Sequence, residues 1–73
     1  MWTYNRTRKV YRWEAPSGNI YEVERSRGRW LLRTWLAYYL AWAEPPREYP
    51  TLRAAQMVAE AYEAALADMR SLA

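Results

Sequence analysis

Cysteine, histidine and phenylalanine are all absent from this 73-residue chain, and it has only two glycines and a single lysine. Without cysteine there is no disulfide framework, no thiol nucleophile and no thiolate metal site. Without histidine the commonest general base and the commonest imidazole ligand are missing. Gly18 and Gly28 stand apart, so no glycine-rich phosphate loop is present. Long hydrophobic runs are absent too. The longest uncharged stretch, Thr34 to Ala43, has 10 residues, about half of what a helix needs to cross a bilayer. No membrane partner is therefore expected. The opening residues, Met-Trp-Thr-Tyr-Asn-Arg, lack the apolar stretch of an export signal, which points to the cytoplasm. Asn5-Arg6-Thr7 then reads as a chance glycosylation sequon.

What is present is a contact toolkit. The chain carries 5 Trp and 7 Tyr, side chains with an apolar body and a polar tip that suit half-buried and binding positions. Twelve such rings are hard to bury together in one domain of this length, which residues 1–73 are expected to form. Ten of the 11 basic residues are Arg, and the net charge is +3. Residues 1–35 hold eight basic groups against three Glu, a net of +5, whereas residues 36–73 hold three Arg against five acids, a net of −2. A chain polarised in this way suits an anionic partner, and Arg adds bidentate recognition of phosphate or carboxylate.

Periodicity predicts an α+β fold: a three- or four-stranded antiparallel meander with one amphipathic helix on one face. Residues 2–13 read as a strand, with Tyr4, Arg6, Arg8, Val10 and Arg12 on one side. Glu14 to Asn19 is a Pro/Ser/Gly/Asn turn. Residues 20–26 and 29–35 then pair around a two-residue Arg27-Gly28 turn, which sets Val23 opposite Leu32 and Glu22 opposite Arg33. Tyr21, Val23, Trp30 and Leu32 fall on the core face. Residues 35–43 stay open between a strand, favoured by the aromatics and Thr34, which extends the third strand or turns back as a fourth over 37–43, and a helix, favoured by Leu and Ala. The Pro-rich segment 44–50 is a connector. Thr51 is an N-cap, and residues 52–72 form a helix with Leu52, Ala55, Val58, Ala59, Tyr62, Ala65, Leu66, Met69 and Leu72 on one face.

An enzyme is not expected from this inventory. Ser and Thr lack an imidazole to activate them, and the pairs Glu22/Glu24 and Glu60/Glu63 read as solvated faces that balance arginines. No cofactor and no metal site is expected. The binding material is better. Arg6, Arg8, Lys9 and Arg12 supply phosphate contacts, Arg25, Arg27, Arg29 and Arg33 extend them, and Trp35 is placed to stack. Glu22 and Glu24 oppose phosphate at the centre of the sheet, which shifts the expected contacts to strand ends and turns.

The layout Gly28-Arg29-Trp30-Leu31-Leu32 followed by Tyr49-Pro50-Thr51-Leu52-Arg53-Ala54-Ala55 resembles small sheet-plus-helix proteins of bacteriophages. Among these it is similar to the arm-type DNA-binding domains of phage-type integrases. The resemblance implies a sheet laid into a DNA groove inside a bacterial host cell, with DNA ahead of RNA as the partner. Small phage proteins of this style also include inhibitors of host enzymes. That alternative uses Trp35, Tyr38, Tyr39 and Trp42, beside arginines, to grip an acidic host protein. A third expectation is a homodimer that buries 35–43 against its copy.

Overall fold

A computed structural model describes residues 1–71. The strands are β1 (Thr3–Asn5), β2 (Val10–Glu14), β3 (Ile20–Ser26), β4 (Arg29–Leu36), β5 (Ala41–Trp42) and β6 (Arg47–Tyr49), and the helix is α1 (Leu52–Ser71). They form one open antiparallel sheet in the order β1-β2-β3-β4-β5, with β6 also paired to β4. The fold is α+β, with the helix at the C-terminal end, as the periodicity predicts.

The β3–β4 hairpin has the register expected from alternation. Val23 pairs with Leu32, Glu22 with Arg33 and Ser26 with Arg29. Arg27 and Gly28 form its turn with φ of 54° and 77°, and two positive φ values match the right-handed twist of the strands they join. Tyr21 and Val23 on β3 and Leu32 on β4 are buried under Ala55 and Ala59 of α1, whose small side chains let the helix lie close to the sheet. The Thr51 side-chain oxygen accepts from the Ala54 backbone N–H at 3.0 Å and caps the helix.

Three expectations need correction. Residues 2–13 are two strands and not one, because the chain reverses over residues 6–9, with Lys9 at a φ of 57°. Asn5 Oδ1 accepts from the Arg8 backbone N–H at 2.9 Å and holds this loop in place of a glycine. Tyr4 therefore packs on Tyr11, with ring centroids 4.6 Å apart, and does not share a face with Arg12. Second, residues 35–43 are not a helix and not a single strand but take both strand alternatives, extension of the third strand and return as a fourth, with a turn between them. β4 runs on to Leu36, residues 37–40 turn with Leu40 at a φ of 52°, and β5 returns for two residues. Third, the connector 44–50 contains β6, whose Arg47 and Tyr49 pair with Leu32 and Trp30. The helix matches its expected span as far as Ser71, and Leu72 lies outside the described residues.

Pleating divides the sheet into two faces. Toward the helix lie Tyr11, Trp13, Tyr21, Val23, Trp30, Leu32 and Tyr49, joined by Trp2, which packs at a tilt against Trp13 and donates its indole N–H to Glu60 at 3.0 Å. The open face carries Arg12 and Glu14 on β2, Glu22 and Glu24 on β3, and Leu31, Arg33 and Trp35 on β4.

Candidate functional site

The open face is a charge ladder. Arg12 and Arg33 flank Glu22 in register across three strands. Glu22 is 4% exposed, so its carboxylate has left water and needs partners. Arg12 donates to it at 2.9 Å, and Arg8 reaches in from the 6–9 loop with two N–H groups, at 3.1 and 3.3 Å. Arg12 also meets Glu14 at 3.3 Å, and Arg33 turns diagonally to Glu24 at 3.2 Å. Glu22 is thus no solvated balancing charge. It is a buried anchor that ties the first hairpin to the sheet centre, a role that depends on the unforeseen reversal at 6–9. Three of the expected phosphate contacts, Arg8, Arg12 and Arg33, are held by carboxylates on this face.

The remaining basic residues converge elsewhere. Val10 pairs with Glu24, two residues short of the β3–β4 turn. The 6–9 loop and the Arg27-Gly28 turn consequently lie side by side at one end of the sheet, on neighbouring strands about 5 Å apart. Arg6, Lys9, Arg25, Arg27 and Arg29 are all exposed there, and Arg8, also exposed, borders them. Among the described residues, Arg6, Lys9, Arg25 and Arg27 have no carboxylate within 4.0 Å. The Arg25 guanidinium sits over the Trp30 ring, 5.8 Å from its centroid, a cation–π contact that holds the side chain without cancelling its charge. Arg29 reaches Glu48 at 3.5 Å, with both side chains at least half exposed. Tyr49 pairs with Trp30, so α1 also begins at this end and turns its unpaired N–H groups toward it.

The opposite end is built differently. Glu63 on α1 accepts from the Tyr21 hydroxyl at 2.6 Å, from Ser17 at 2.8 Å and from Asn19 at 3.1 Å. Burial, and then the hydrogen bond to Glu63, push the Tyr21 phenol well above its ordinary pKa. Asn19 in turn accepts from the Ala37 backbone N–H at 3.0 Å, which fastens the 37–40 turn. In that turn Tyr38 and Tyr39 pack edge to face at 5.0 Å and stay 90% and 71% exposed. Trp35 and Trp42 pair across β4 and β5 on the open face, so the four aromatics expected to act together are split between a turn and a strand pair. A cleft of about 520 Å³ lies between the turn and the helix, lined by Leu36, Tyr38, Tyr39, Tyr62, Leu66 and Arg70 among others. Sequence periodicity assigned Tyr62 and Leu66 to the core and gave no sign of this cleft.

Among the described residues no group of three or more Asp or Glu is arranged to hold a metal ion. Comparison with protein-family models, curated proteins and solved structures returns no match to the chain.

Proposed function

We propose that the protein is a non-catalytic nucleic-acid-binding module of the phage type, with DNA its preferred ligand, and that it grips the phosphate backbone with the basic end of its sheet. The observation that carries this reading is the side-by-side placement of the 6–9 loop and the Arg27-Gly28 turn. That placement gathers Arg6, Lys9, Arg25 and Arg27, which have no carboxylate partner among the described residues. Each such cation can displace a condensed counterion from a phosphate, which makes binding favourable and salt-dependent. Arg8 and Arg29 border the patch, whereas Arg12 and Arg33 are paired within the ladder and Trp35 sits beside it opposite Trp42. The contact is with backbone charge and carries no base readout of its own.

A titration of the intrinsic Trp fluorescence with duplex DNA tests this, since Trp30 lies under Arg25. Four phosphate contacts imply a slope of about −4 in log affinity against log salt. Replacing Arg6, Lys9, Arg25 and Arg27 together by Ala is expected to bring that slope close to zero and to abolish binding at moderate salt. Binding that ignores salt, or a fourfold variant that binds as well as the parent, refutes the assignment.

A further inference from the structure

The apolar face of α1 is wider than the sheet that covers it. At about 100° per residue, Leu52, Ala55, Ala59 and Leu66 point along one line, and Val58, Tyr62, Ala65 and Met69 along a second, about 70° round the helix. The first line meets the sheet, and Ala55 and Ala59 are fully buried there. The second is left uncovered, with Val58 40%, Tyr62 43% and Met69 67% exposed. The 20-residue helix also outruns the sheet: every residue from Ala67 to Ser71 is exposed. The uncovered line is continuous with the exposed Tyr38, Tyr39 and Leu40 through the cleft above them.

We propose that this flank of α1, together with the 37–40 turn, is a self-association surface that pairs two copies of the chain about a two-fold axis. Three observations select a second copy as the occupant. The 4-3-4 spacing of Val58, Tyr62, Ala65 and Met69 is the spacing along which two helices pack on a shared seam, here for under two heptads. An antiparallel pairing near Ala65 and Leu66 sets each copy's Met69 over the other's Tyr62, so that one patch serves both partners. Finally, the exposed parts of Val58, Tyr62, Met69, Tyr38, Tyr39 and Leu40 amount to ~700 Å² per copy, close to the ~800 Å² per partner of a stable interface. Charge agrees with this geometry. The flank lies at the far end from Arg6, Lys9, Arg25 and Arg27, so pairing keeps the two basic ends apart.

Sedimentation of the full chain, without nucleic acid, tests the proposal independently of the proposed function. The mass is expected to rise with concentration from one chain, 8.8 kDa, to two. Met69→Glu changes an exposed residue beyond the sheet and is expected to hold the one-chain mass at every concentration, with an unchanged far-UV circular dichroism spectrum. Ala64→Glu, on the opposite side of the helix, is expected to leave the two-chain mass intact. If Met69→Glu fails to fold, Tyr39→Ser takes its place with the same expectation. Ala65→Cys supplies the chain's one thiol near the axis and is expected to give a two-chain disulfide under mild oxidation, whereas Ala64→Cys is not. A parent chain that stays single at high concentration overturns the proposal and leaves the flank to a different protein. Equal behaviour of Met69→Glu and Ala64→Glu overturns it as well.

Discussion

Replacing Glu22 by Gln probes the charge ladder directly. The change keeps shape and burial but removes the charge that two guanidinium groups share through three hydrogen bonds of 2.9, 3.1 and 3.3 Å. A hydrogen bond to a charged group contributes about 1.5–3 kcal/mol when sheltered. The Arg8 and Arg12 side chains are 56% and 35% exposed, so water recovers much of their loss. A net cost of about 1–2 kcal/mol remains, well below the cost of breaking a fully buried pair. In a domain of this length that corresponds to a fall in Tm of roughly 5–15 °C, readable from thermal unfolding followed by Trp fluorescence. The same substitution frees Arg8 at the edge of the basic end and raises the net charge by one, so DNA affinity is expected to increase while stability falls. A Tm within about 2 °C of the parent refutes the anchoring role of Glu22. A drop in DNA affinity refutes the separation between ladder arginines and phosphate-binding arginines.

Other perturbations follow from the turns and the buried phenol. The raised pKa of Tyr21 means that the folded state holds its proton more tightly than the unfolded chain. Its contribution is therefore complete below the ordinary tyrosine pKa of about 10 and is lost as the pH climbs above it toward the folded value. Tyr21→Phe is expected to flatten the alkaline fall in the urea midpoint, and an unchanged fall counts against a phenol held protonated by burial and Glu63. Gly18→Ala is expected to cost more than Gly28→Ala in denaturant unfolding. Both positions have positive φ, at 93° and 77°, but only at Gly18 does an added Cβ meet a neighbour, Ala37 Cβ at 3.1 Å. Strain alone sets the Gly28 change at about 1 kcal/mol, and equal costs would show that the Ala37 contact relaxes freely.

The parts of the fold legible in the sequence are those governed by local rules. Alternation over Tyr21 to Glu24, a two-residue turn with glycine, and charge opposite charge were enough to set the β3–β4 register. Thr51 and the Ala-rich periodicity were enough to start the helix. The reversal at 6–9 is not legible in the sequence, and the one at 37–40 only as one alternative, because each uses a non-glycine residue at positive φ, Lys9 or Leu40, and gains its support from side chains or distant strands. Asn5 followed by Arg6, Thr7, Arg8 and Lys9 is the one available hint for the first. β6 escaped because a three-residue strand beside prolines has no pattern of its own and exists only because β4 offers it an edge. The candidate site was half legible. The arginines could be counted, but which of them a carboxylate would hold depended on the hairpin that brings Arg8 onto Glu22. The helix face was read as a single stripe because sequence shows its width and not the width of what covers it.

The split edge of β4 has a consequence for the order in which the molecule is assembled. β1 through β5 each pair with their neighbour in sequence and need only short loops to close, whereas β6 returns to β4 across the β5 turn and leads directly into the helix. Local closures are fast and distant ones wait for them. The β3–β4 hairpin, with its two-residue turn and seven matched pairs, is therefore expected to form first. β6 and the first turn of α1 are expected to join it together. Amide hydrogens of β3 should be the last to exchange with solvent, and those of β1, on an exposed three-residue strand, among the first.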